Sequence, residues 1–77
     1  MTSEQCKAAR ELLGWHAERL GIMAGASYHT VRDFERQARR TLPRTINAMR
    51  AALETAGIEF IADNDGRPGV RRRQAGA

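Results

Sequence analysis

A mainly α domain of four helices, closed by a short C-terminal β-hairpin, is the fold class this sequence predicts. Three observations carry it. Apolar residues recur at intervals of three and four in segments that end near residue 57. Gly14, the run Gly25-Ala26-Ser27 and Gly57 punctuate those segments where helices must stop and start. Past Gly57 the period changes, and the β-branched and aromatic run Ile58-Glu59-Phe60-Ile61-Ala62 is followed by a dense turn cluster, Asp63-Asn64-Asp65-Gly66-Arg67-Pro68.

The first helix is expected over about residues 4–13. Thr2 or Ser3 can cap it, Glu4 complements its dipole, and Gly14 ends it. Cys6, Ala9 and Leu13 form its inward stripe, flanked by Leu12. A second short helix is expected over 17–24, with Leu20 and Met23 or Ala24 facing in. Trp15, just before it, is expected to pack against the fourth helix or the loop. Ser27 is a good N-cap for a third helix over 28–36. Gln37 to Leu42 reads as a polar, basic connection. Pro43 suits the first turn of a fourth helix, 43–56, where its missing N–H costs nothing, and Ile46, Met49 and Leu53 mark its buried face. The reading divides the chain into a helical unit over 1–57, a strand or hairpin over 58–73 and a disordered tail over 74–77.

Length and composition bound the function. A domain near 77 residues buries only about 60 % of the surface its unfolded chain exposes, so association with a second copy is a common source of added stability. Lys and Arg number 13 against 9 Asp and Glu, for a formal charge of +4, and every base but Lys7 is Arg. A high-GC coding bias produces the same composition, so placement counts for more than number. Between Arg32 and Arg50 there are six Arg against two acids, Asp33 and Glu35. Cys6 is the single cysteine, which fits a reduced, cytoplasmic setting; it shares no ligand spacing with His16 or His29, so no metal and no cofactor is expected. No apolar run reaches the roughly 20 residues a membrane span needs. Enzyme readings lack parts: no Ser/His/Asp set, phosphate loop or paired acids have usable spacing. Asp63-Asn64-Asp65-Gly66 has no glutamate at the twelfth position of a calcium loop and reads as a turn.

Residues Ala17 to Arg36 carry the constraints of a helix-turn-helix. Two short helices that cross closely need a small residue at the approach, which Gly21 supplies. The turn between them needs tolerance of positive φ, which Gly25 supplies. Leu20, Ala26, Val31 and Phe34 stand where apolar residues must hold the pair on the first helix. At about 100° per residue, Thr30, Val31 and Phe34 fall on one side of the third helix. Tyr28, His29, Arg32, Asp33 and Arg36 fan over the opposite, polar side. In a helix entering a major groove N-terminus first, Ser27, Tyr28, His29, Arg32 and Asp33 would lie nearest the base edges.

The stretch Gly-Trp-His-Ala-Glu-Arg-Leu-Gly-Ile-Met-Ala-Gly-Ala-Ser-Tyr-His-Thr-Val-Arg-Asp-Phe-Glu-Arg, residues 14–36, resembles the Xre family of bacterial and phage regulators, the lambda-repressor-like type. The resemblance covers about Cys6 to Leu53, and the run Ala51 to Ile61 looks like a short branch of that family common in proteobacteria. It implies a sequence-specific regulator, most simply a repressor or a dual regulator, binding an operator in double-stranded DNA. It also implies a structural pair of Arg10 with Glu35. Where many members have Gln at the start of the second helix, bracing the recognition helix and binding phosphate, this chain has Ala17; His16 is the candidate to replace that contact at the helix N-terminus. Gln37 stands where the family often has Gly, so the exit of the third helix is expected to differ. Phosphate contacts are assigned to His16, Thr30, Arg36, Arg39, Arg40 and Arg44, which flank the reading face.

One helix-turn-helix reads about half a site, and a dimer sets two reading helices about 34 Å apart. The hairpin is the expected device, with Ile58, Phe60, Ile61 and Val70 in an antiparallel sheet shared by two chains. Alternation leaves the buried face open, since Ile58 and Phe60 share one side and Ile61 lies on the other; packing back on the chain's own first and fourth helices is the competing arrangement. The competing function is a protein-interaction module, such as an antitoxin or anti-activator, that holds a partner regulatory protein. DNA binding would place the chain in the cytoplasm, at the nucleoid.

Overall fold

The computed structural model describes residues 1–64 and 67–73, with backbone alone at 62–64 and 67. The elements are α1 (Ser3–Leu12), α2 (Ala17–Ala24), α3 (Tyr28–Arg36), α4 (Pro43–Thr55), β1 (Ile58–Asn64) and β2 (Arg67–Arg72). The four helices and the antiparallel hairpin follow the expected class and order. α1 begins and ends one residue before the expected bounds, and α4 stops at Thr55. The expected tail, 74–77, and the turn residues Asp65 and Gly66 lie outside the described residues.

Local chemistry accounts for each start and stop. Thr2 is the cap of α1: its Oγ1 accepts the Gln5 N–H at 3.0 Å, while the Gln5 Oε1 accepts the Thr2 N–H at 2.8 Å. This reciprocal pair satisfies two of the N–H groups a helix start leaves open. Gly25 closes α2 in the left-handed region at φ +71°, and Pro43 occupies the first turn of α4.

Cys6 and Ala9 of α1, Leu20 of α2, Val31 and Phe34 of α3, Met49 and Leu53 of α4 and Ile58 of β1 form a single buried cluster. α2 lies against both α3 and α4, and the hairpin rests on α1 and α4. Ala24, not Met23, turns inward on α2; Met23 is 51 % exposed.

The hairpin resolves the ambiguity of its alternation. Ile58 and Phe60 pair with Arg72 and Val70, and Phe60 and Val70 pack on the core. Glu59 and Arg71, opposite each other, carry an ion pair of 2.6 Å on the other face, where Ile61 also lies. Ile58, expected at an interface between subunits, is placed in the core of its own chain. It is 1 % exposed within its own chain, because β1 lies directly on α4. The arrangement realised within one chain is the hairpin packed back on its own helices. Gln5, itself buried, fastens it: its Nε2 donates to the carbonyls of Gly69 (3.0 Å) and Ile61 (3.4 Å). Arg50 stacks over the Phe60 ring, 5.0 Å from its centroid. Among the described residues no helix is long and apolar enough to cross a membrane.

Candidate nucleic-acid interface

The approach of α2 to α3 sets the geometry of everything on α3. Gly21 is buried, and a Cβ there would stand 2.9 Å from the Ala26 carbonyl oxygen and 3.1 Å from both Ser27 C and Tyr28 N. The Gly21 carbonyl accepts the Ala26 N–H at 2.8 Å. The turn therefore folds onto the helix it leaves, and α3 starts at once.

Val31 and Phe34 anchor the inner side of α3 in the core, so its opposite side is presented outward. His29, Arg32 and Arg36 are exposed there, Tyr28 is 38 % exposed and Asp33 is half-buried. The Tyr28 and His29 rings lie 4.1 Å apart between centroids, tilted by 35°. Ser27 and Thr30 are already engaged with each other. Ser27 Oγ accepts the Thr30 N–H at 3.1 Å, and the two hydroxyls are bonded at 3.0 Å. Both side chains thus serve the start of α3, at the edge of the outward face rather than in its centre.

The pair Arg10–Glu35 is formed. Arg10 Nε and Nη2 each donate to a Glu35 carboxylate oxygen at 2.9 Å, and Nη1 donates to the Trp15 carbonyl at 2.8 Å. The fork ties α1, the segment before α2 and the end of α3 together at one point. The bond to Glu35 holds the Arg10 guanidinium above its usual pKa range, even against partial desolvation. The Cys6 thiol donates to the same carboxylate at 3.4 Å; burial, and then the charge of Glu35, push its pKa up to about 12.

Around this pair opens a concavity of about 410 Å³ between α1, the start of α2 and α3, lined in part by Lys7, His16, Ala17, Tyr28, Arg32 and Arg36. His16 is the exposed N-cap of α2 and makes no side-chain cap bond, so the first N–H groups of that helix receive no acceptor from it. Lys7 is the residue sequence reasoning missed. Its signal was available: it stands one turn before Arg10 on the same side of α1, and Arg10 reaches α3.

In the connection after α3 and the first turn of α4, Arg39, Arg40 and Arg44 are exposed. Arg39 Nε stands 4.0 Å from the Asp33 carboxylate, an exposed contact of little energetic weight. Arg44 sits in the first turn of α4, where the helix dipole disfavours a cation. The exit of α3 departs from expectation in an informative way. Gln37 takes up the left-handed conformation itself, at φ +56°, and the Ala38 N–H reaches the Asp33 carbonyl at 2.9 Å. The turn a glycine would make is made without one. Ser3 Oγ then ties α1 to this end of α3 through the Phe34 carbonyl, at 2.7 Å.

No family model matches the chain, and no curated protein matches its sequence. Among the described residues, no group of three or more His, Cys, Asp or Glu is placed to hold a metal.

Proposed function

We propose that the chain is a sequence-specific DNA-binding transcriptional regulator of the lambda-repressor-like, Xre type. α2 and α3 are its helix-turn-helix, and α3 enters the major groove. One observation carries the reading: the outward face of α3 is polar, Lys7, Arg32 and Arg36 line the cleft beside it together with His16, and Arg39, Arg40 and Arg44 are exposed in the segment that follows it. A planar guanidinium suits guanine edges as well as phosphates, and the Tyr28 ring suits a thymine methyl or a sugar. Tyr28, His29, Arg32 and Asp33 then face bases, Ser27 and Thr30 hold the first turn of α3 near the backbone, and the flanking cations neutralise phosphates. Occupancy of an operator represses by occlusion. Two copies reading a near-palindrome supply the affinity one helix lacks, and the protein works in the cytoplasm wherever its DNA lies.

The test is a salt titration of binding, paired with two variants. Log affinity is expected to fall steeply against log salt, with a preference of about 10³-fold or more for one sequence. Arg32→Ala is expected to relax the preference at one base pair and cost about 1–3 kcal/mol there. Arg39→Ala is expected to weaken all sequences alike and to lower the salt slope by about one. Weak binding with no sequence preference would instead favour a protein-interaction module, the reading to which the loss of Gln at Ala17 lends its support.

A further inference from the structure

The cleft beside α3 holds more positive charge than the fold itself uses. It measures about 410 Å³, opens between α1, the start of α2 and α3, and has the Arg10–Glu35 pair in its lining. That pair is closed on itself: its side chains are 15 % and 7 % exposed, and each nitrogen of the guanidinium already has an acceptor. Three other cations line the cleft, Lys7 from α1 and Arg32 and Arg36 from α3, all of them exposed. Among the described residues none of the three makes an ion pair, whereas Arg39, Arg50 and Arg71 each stand against a carboxylate. Glu18, in the first turn of α2, is the one acid of the lining outside the pair. Cations gathered from two helices repel one another, and a concave wall concentrates their field. The core does not require this arrangement, since it contains none of the three.

Size and shape select the anion. At the roughly 30 Å³ a water molecule occupies, the cleft holds about a dozen heavy atoms. A single phosphate group fills less than about half of that space, and two phosphates joined through one oxygen fill most of it. A DNA backbone sets a sugar between successive phosphates, so a duplex offers this concavity one phosphate at a time. Concavities of this volume are those in which small molecules bind. Two guanidiniums present planar forks to neighbouring phosphate oxygens, and an ammonium adds a point charge. The Tyr28 ring, also in the lining and 38 % exposed, offers a nucleoside base a face to stack on.

We propose that this cleft binds the diphosphate group of a small free anion, inorganic pyrophosphate or a nucleoside diphosphate, held by Lys7, Arg32 and Arg36. Bound there, the anion occupies Arg32 and Tyr28, which the function proposed above assigns to bases, so anion and duplex exclude each other. The exclusion rests on that reading, and the anion site does not. The helix-turn-helix thereby carries its own regulatory input.

Calorimetric titration of the full chain at constant ionic strength tests it, with pyrophosphate, inorganic phosphate and ADP as probes. Pyrophosphate is expected to bind with a Kd below about 1 mM, and at least about tenfold tighter than phosphate. Lys7→Ala and Arg36→Ala are each expected to weaken it by about tenfold or more. Arg72→Ala, an equal loss of charge at the end of β2, is expected to leave it unchanged. All three side chains are exposed, so the variants are expected to fold, which circular dichroism checks. ADP that binds tighter than pyrophosphate identifies a nucleotide as the ligand, and ADP that binds equally or more weakly identifies pyrophosphate; either supports the site. Pyrophosphate that binds no tighter than phosphate would overturn it. So would a loss in Arg72→Ala equal to that in Lys7→Ala, the attraction then being one of net charge alone. Saturating pyrophosphate is expected to weaken duplex binding by about tenfold or more at the same ionic strength. Should it bind and leave duplex affinity untouched, the exclusion is overturned. Should the chain bind no duplex while Lys7→Ala still weakens pyrophosphate, the DNA reading fails and the anion site stands.

Discussion

Gly21 and Gln37 show how differently two backbone constraints are written. At Gly21 the neighbours of a Cβ are all backbone atoms, at 2.9 to 3.1 Å, and none can swing aside as a side chain tip would. Gly21→Ala must therefore push α2 off α3, and it is expected to cost about 1–3 kcal/mol in a urea titration. At Gln37 the constraint is a φ of +56°, which strains any residue with a Cβ by about 1–2 kcal/mol. Glycine removes that strain but adds about 0.4–1 kcal/mol of chain freedom to the unfolded state. Gln37→Gly is expected to raise stability by about 0.5–1 kcal/mol, and a loss in the same titration would contradict the strain. The first constraint was legible because a small residue at that spacing is its signature. The second was hidden: glutamine carries no mark of positive φ, so the conformation comes only from the helix end that imposes it.

Among the elements, the three-way fork of Arg10 ties the end of α3 to α1 and to the segment before α2. Glu35 is 7 % exposed at its side chain, and its charge is matched by both arms of the guanidinium. Arg10→Ala leaves that carboxylate buried without its partner, at an expected cost of about 3–5 kcal/mol measured by thermal or urea unfolding. Arg10→Lys is expected to recover only part of this, since an ammonium cannot span both carboxylate oxygens and the Trp15 carbonyl with one planar group. Helix limits came within one residue from caps and punctuation, because those signals are local. The hairpin did not yield as readily. Ile58, Phe60 and Ile61 offer an apolar residue to each face, and the choice falls to α1 and α4, which are remote in sequence. Lys7 was legible only through its neighbour: it shares a side of α1 with Arg10, whose pairing with Glu35 the resemblance already implied.

At the scale of the whole molecule, the thiol of Cys6 reports on the fold. It is fully buried in the shared core and hydrogen-bonded to Glu35. Between the ordinary thiol value of 9.0 and about 12, the folded chain keeps a proton that the unfolded chain releases. Its contribution to stability is therefore complete below pH 9.0 and is lost as pH rises toward about 12. Alkylation of the native chain at pH 8 is expected to be limited by opening of the core, as about one thiol in ten thousand would be ionised. Labelling as fast as that of a small thiol would contradict this placement. The hairpin contributes a final property. Between the pairs Ile61–Gly69 and Asn64–Arg67, β1 carries one residue more than β2, and Pro68 on β2 has no N–H to offer. An incoming strand would have to copy that step or leave bonds unmade. The sheet thus has little capacity to grow edge to edge, and crowded chains are turned away from fibre-like stacking.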